Sequence, residues 1–180
     1  MNTKLFALIL VAVLVAGSTL VSAQLSSPMS GAPAGKSVGA VPAGTGAGVH
    51  SPNSPFAPLP ARADVVSWNV LTDVKTKTTK GSIVPQFNAS QMALNQRSQR
   101  IQGFMMPLDP GEKQTHFLLS SVPLTCGFCT PGGPESMVEV KSKTPVKYSM
   151  EPVVVEGHFQ VLVNDPFGVY YRIADASAVK

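Results

Sequence analysis

Cysteine is nearly absent from this 180-residue chain, and the only two stand together in Cys126-Gly127-Phe128-Cys129. A multiply cross-linked disulfide scaffold and a four-cysteine zinc cluster are therefore excluded. Charge is scarce as well, with Asp, Glu, Lys and Arg at 13% of residues, and Gln24 to Ala63 holds no acidic residue. The apolar run from Leu5 to Val15 is too short to span a bilayer, which needs about 20 residues. No His-Glu-x-x-His and no complete phosphate-cradling Gly-x-x-x-x-Gly-Lys-Ser/Thr loop occurs. Glu135, Glu139, Glu151 and Glu156 are spread over the chain, without the close pairing that acid–base catalysis uses. These absences point away from catalysis and towards a non-enzymatic role.

What is present begins with a leader pattern. Lys4 is a positive start, Leu5 to Val15 an apolar core, and Val21-Ser22-Ala23 a small-residue site for cleavage before Gln24. Residues 1–23 are thus expected to be a signal peptide. No cysteine lies near the cleavage site, so the mature chain is expected to be soluble, exported to the periplasm and free of a lipid anchor. Residues 24–63 are mostly Gly, Pro, Ala and Ser, with Phe56 as the only aromatic. They offer too little apolar surface to offset an ordering cost of roughly 1–2 kcal/mol per residue, and are expected to form a disordered tether. The overall pI of about 9.2 does not imply nucleic acid, because the lysines are scattered and charge beyond Asp64 is nearly balanced.

Residues 64–180 are expected to form one β-domain. Val65 to Leu71 opens it as a β-prone or irregular stretch packed by Trp68, and Lys80-Gly81 marks a turn. Asn88 and Gln91 spell a capping box, predicting a short helix over Ala89 to Gln96. Period-two alternation then predicts strands at Arg97 to Met106, His116 to Ser121, Met137 to Val140, Val153 to Val163, and around Val169, Tyr171 and Ile173. The stretch from Ser142 to Pro152 contains Pro145 and is expected to be a loop with a brief strand at Val146 to Tyr148. Gly103 and Gly157 interrupt the two longest strands, where a glycine marks a bulge or a barrel corner. The expected fold is a small five-stranded antiparallel barrel similar to the OB-fold with one short helix; a sandwich of two small sheets is the alternative.

Several segments carry a resemblance. Trp68, Arg100-Ile101-Gln102-Gly103-Phe104-Met105-Met106-Pro107-Leu108, His116 to Ser120, Cys126 to Cys129 with Gly132-Gly133-Pro134-Glu135, and Val138-Glu139-Val140 resemble domain-of-unknown-function family 3299, over roughly Asp64 to Ala176. The resemblance implies an exported protein of a Gram-negative bacterium. It also implies a genomic setting beside ABC-transporter genes linked to metal supply, and so components of such a transporter as partners. Other members carry Cys-x-His followed by prolines where this chain has Cys126, Phe128 and Cys129, so a metal assignment does not carry over residue by residue.

The cysteine pair admits three chemistries. In an oxidising compartment two cysteines form a disulfide, and this one would pin a turn. As reduced thiolates, Cys126 and Cys129 supply half of a zinc or copper site, with His116 and Glu135 as the candidate remaining ligands. Met105, Met106 and Met137 add soft donors, though methionine is more often core filler. A thiol–disulfide redox protein is the third reading. It wants its Cys-x-x-Cys at a helix N-terminus, which Thr130-Pro131-Gly132-Gly133-Pro134 prevents. The expected function is a periplasmic binding or accessory protein handling a metal beside a transport system. The alternative is a structural or protein-interaction module in which Cys126 and Cys129 are oxidised.

Overall fold

Alternating apolar residues from Ile101 to Ile173 build the sheet, and the way they close on one another defines the molecule. The structure, a computed structural model, describes residues 47–179. The expected signal peptide and residues 24–46 of the expected tether lie outside the described residues. In chain order the elements are helix α1 (Trp68–Thr72), strands β1 (Lys75–Thr79) and β2 (Ser82–Gln86), helix α2 (Ala89–Met92), strands β3 (Ser98–Pro107) and β4 (Lys113–Ser120), a 3-10 turn (Pro134–Ser136), then β5 (Met137–Lys147), β6 (Val153–Val161) and β7 (Tyr171–Val179).

Five strands close into a barrel in the order β3-β4-β5-β7-β6, while β1 and β2 form a separate hairpin. The OB-like barrel is as expected, with one refinement. Four neighbours pair antiparallel, but β5 and β7 run parallel, with Val140 opposite Ile173, so the sheet is mixed. Both predicted glycine devices are in place. β3 pairs with β6 as far as Gly103 and with β4 from Phe104 onward, so Gly103 stands where the strand changes partners. Gly157 sits at the register shift between Glu156 and His158 in the β6–β7 ladder. There the two backbones approach so closely that an added Cβ would lie 2.6 Å from the Ala174 carbonyl oxygen.

The core fills the barrel with Ile101, Phe117, Leu119, Val138, Val140, Val155, Phe159, Tyr171 and Ile173, all fully buried. Phe159 stacks on Tyr171 with centroids 5.7 Å apart. Burial raises the Tyr171 phenol well above its ordinary pKa, and its hydroxyl donates to the Leu71 carbonyl at 2.7 Å. Val163, expected on the inward face, lies beyond the end of β6 and is exposed.

Local corrections have physical causes. Val65 to Leu71 is not a strand: Ser67 accepts from the Asn69 N–H as an N-cap, and Trp68 and Leu71, three residues apart, bury one helical face. The Trp68 indole donates to the Gln102 carbonyl at 2.8 Å, against Gly103. The capping box at Asn88 and Gln91 is complete, but the α-helix stops at Met92. Its continuation is drawn to β6 instead, where the Asn95 side chain accepts from Val161 N–H and Gln96 N–H donates to Phe159. Gln91, fully buried, donates to the Val70 carbonyl and so ties the two helices together. Residues 137–147 form one strand rather than a strand and a loop. The β4–β5 ladder pairs Val146 with Gln114 and then jumps to Lys141 opposite His116, so Pro145 falls in the bulge, where its missing N–H removes no ladder bond.

The chain from Ala47 to Leu59, which composition assigns to the tether, packs as a strap. Leu59 belongs to the main core, Phe56 covers the cysteine turn, and Ala47 bridges Thr130 in parallel. By packing, the domain begins upstream of Asp64. Among the described residues no helix is long and apolar enough to cross a membrane.

Candidate functional site

Beyond β4 the chain turns inward rather than out to solvent. Ser121 and Val122 are fully buried, and two successive tight turns follow: the Cys126 N–H donates to the Pro123 carbonyl and the Cys129 N–H to the Cys126 carbonyl. These turns bring Cys126 and Cys129 together as a disulfide, with their Cα atoms 5.3 Å apart. Both sulfurs face inward, the residues being 4% and 7% exposed, and form a small second core with Val122 under Phe56. Gly127 and Phe128 form the outer edge, with Phe128 exposed. Ser54 Oγ lies 3.2 Å from Cys126 Sγ; a disulfide sulfur has no hydrogen, so the hydroxyl is the donor.

The segment after the disulfide is held by the strap. Gly48 N–H donates to the Thr130 carbonyl at 2.7 Å, and Ser121 Oγ donates to the Gly48 carbonyl at 3.1 Å. Gly48 has φ +73°, a conformation that favours glycine, and its missing side chain leaves room for Ser136. Glu135 folds back so that its carboxylate accepts from the Gly133 N–H at 3.0 Å. The proline and glycines of residues 130–133 thus give an extended, non-helical segment that leads into the 3-10 turn at Pro134, as their composition requires.

His116 stands elsewhere. Its Nε2 lies 2.8 Å from Glu139 Oε1 on the outer face of β4 and β5. Glu139, nearly buried, also accepts from Arg172 Nε at 2.5 Å, and Arg172 reaches Asp165 at 3.2 Å. Asp165 in turn accepts from the N–H groups of Phe167 and Val169. Burial pulls the Glu139 carboxyl upwards, but hydrogen bonds from His116 and Arg172, with the charges of Arg172 and Lys141, outweigh it and hold its pKa below the ordinary value. Asp165 is likewise lowered: burial opposes, and the backbone donors and Arg172 prevail. Of the four metal ligands expected from the sequence, the structure brings together only the two sulfurs, and joins them to each other. Among the described residues no group of three or more His, Cys, Asp or Glu is placed to hold a metal ion.

The segment after the disulfide and Glu139 of the ion-pair network both line a groove of about 300 Å³. Gly132, Gly133 and Pro134 line it together with Leu118, Met137 and Glu139 and with Phe167, Gly168 and Val169 of the β6–β7 loop. Sequence reasoning missed Arg172 and Asp165. Two signals were there: Asp165-Pro166 opening a turn, and Arg172 alternating with Tyr171 and Ile173 on the outward face.

The family model described as a protein of unknown function, DUF3299, matches residues 56–169. A crystal structure of a DUF3299 family protein from Pseudomonas aeruginosa PAO1 is similar, at 22% identity, over 72% of this chain and 90% of that chain, with a TM-score of 0.42. Among curated proteins none matches this chain.

Proposed function

We propose that this chain, which belongs to the DUF3299 family, is an exported, non-catalytic interaction module whose oxidised cysteine turn anchors the segment that lines its binding groove. One observation carries this reading: the two sulfurs are spent on each other and buried beneath Phe56, while the segment they anchor lines the groove. The groove occupies the outer face of the second and third barrel strands beside the loop joining the fourth and fifth, the face on which OB-folds take their ligands. That correspondence is an analogy of fold and says nothing of ligand identity.

The chemistry of the groove favours binding over catalysis. Glu139 and Asp165 are ionised and already paired with Arg172, so neither is poised to exchange a proton near neutral pH. Export is supported by the leader pattern of residues 1–23 and by the disulfide, since cytosolic thiols are kept reduced. The partner suggested by the family resemblance, a component of an ABC-type transport system, is the first to test against this face. Metal handling by Cys126, Cys129, His116 and Glu135 would require reduction of the pair, release of His116 from Glu139 and release of Glu135 from its own turn. The interaction reading needs none of these.

The experiment is a thiol titration in denaturant without reductant, combined with elemental analysis of protein purified from the exported fraction without chelator. No free thiol and no stoichiometric metal are expected. Two free thiols with one metal ion per chain would establish the metal-handling reading instead.

A further inference from the structure

The hairpin formed by β1 and β2 does nothing for the barrel. All five residues of β1 are exposed, and in β2 only Val84 and Pro85 are half-buried. A two-stranded hairpin with most of its residues exposed is marginally stable in water, so its retention as an arm needs a reason. Val74 and Phe87 root the arm in the main core, where Phe87 meets Tyr170 edge-on with centroids 6.0 Å apart.

Its chemistry is one-sided. Lys75, Lys77 and Lys80 lie on it, and no acidic residue occurs between Val74 and Phe87. Among the described residues none of the three forms an ion pair, whereas Lys141 and Lys143 on the barrel do. The turn carries its own signal. Lys80 and Gly81 both have positive φ, +51° and +81°, as a type I′ turn requires. The first of those positions favours Asn, Asp or Gly, yet it holds a lysine, so a charge is set at the tip against conformational preference. Ile83, opposite Thr78 and two residues past the turn, is 69% exposed.

We infer that the tip of this hairpin is a docking surface for an anionic phospholipid membrane. Lys75 and Lys77 share the face of Val84, while Ile83 lies with Thr78 on the other. A hairpin entering tip-first therefore presents Lys77 and Lys80 to phosphate headgroups and Ile83 to the acyl chains below them. A soluble polyanion would satisfy the lysines and leave Ile83 without a role. Distance orders the contributions. At about 3.4 Å per residue, Lys75 is set back about 14 Å from Thr79 at the turn, beyond the Debye length of about 8 Å at physiological salt. Lys77 and Lys80 therefore dominate. A lysine close to an anionic surface is worth about 1 kcal/mol, which converts to about fivefold in binding.

The test is co-sedimentation of the purified full chain with phosphatidylglycerol-containing vesicles and with pure phosphatidylcholine vesicles, at low and high salt. Binding to the anionic vesicles alone, weakened by salt, is expected. The double variant Lys77→Gln/Lys80→Gln loses about 25-fold, Lys75→Gln much less, and Ile83→Ser up to about tenfold. Lys77→Arg/Lys80→Arg keeps binding, which separates charge from any disturbance of the hairpin, and thermal unfolding confirms an intact barrel in each variant. Because all variants share one N-terminal sequence, residual leader affects them equally. Equal binding to both vesicle types, or an unchanged double glutamine variant, overturns the inference. So does binding to a soluble anionic polysaccharide that matches the vesicles and ignores Ile83→Ser.

Discussion

Phe159→Ala is expected to lower the unfolding free energy by about 3–5 kcal/mol, among the largest losses any single truncation in this chain should produce. Phe159 is fully buried and stacks on Tyr171 at the seam where β6 meets β7. The residue is also held from the other side: its N–H donates to the Arg97 carbonyl and its carbonyl accepts from the Gln96 N–H. Strands fixed on both sides cannot close over the hole, so the cavity cost adds to the lost burial. Domains of this size are stable by about 5–15 kcal/mol, so the variant forfeits a large share of that margin. Urea denaturation should show a lower midpoint at an unchanged slope. A loss below about 1 kcal/mol would mean that Phe159 is not packed as described.

Gly157→Val is expected to cost about 3 kcal/mol or more, by a different mechanism. A Cβ there would stand 2.6 Å from the Ala174 carbonyl oxygen and 2.9 Å from the Ala176 Cα. Both are backbone atoms of β7, so no side chain can rotate away, and relief requires opening the β6–β7 ladder at its bulge. Gly127→Ala supplies the contrast, because its Cβ would meet nothing within 4 Å, and its effect should stay within about 0.5 kcal/mol. Similar midpoints for the two variants in urea would contradict the close approach of the strands.

These two positions also show what the sequence made legible. Gly157 and Gly103 broke otherwise clean alternations, and each marks a real discontinuity in the barrel. Asn88 and Gln91 announced their box because capping is a local interaction between residues three apart. What depends on distant partners was hidden. The α1 helix is only five residues long, too short for a 3.6-residue period to appear, and Trp68 reads as strand until Gln102 is known to lie beside it. β5 looked broken because Pro145 seemed to end it, whereas the ladder slips past that residue. The strap hides Gly48, Phe56 and Leu59 among residues that by number alone spell a tether.

The candidate site divides in the same way. A disulfide was one of three legible states of the cysteine pair, and the non-helical turn after it followed from proline and glycine. The destiny of His116 did not. It is set by register, with Lys141 directly opposite and Glu139 on the diagonal, a neighbour relation that no reading along the chain reveals.

The central claim is that the disulfide is a local clasp, fixing the strap and the segment that lines the groove while the barrel stands on its own core. Closing a loop of sequence separation 3 is worth about 2 kcal/mol, small beside the core truncation above. Amide hydrogen exchange of the intact chain with and without reductant measures this directly. Reduction should speed exchange about thirtyfold at Gly48, Cys126 and Cys129, whose N–H groups bond within the clasp, and leave β3, β6 and β7 unchanged. Exchange that rises equally across the barrel, or does not change at Gly48 and Cys129, would contradict the account.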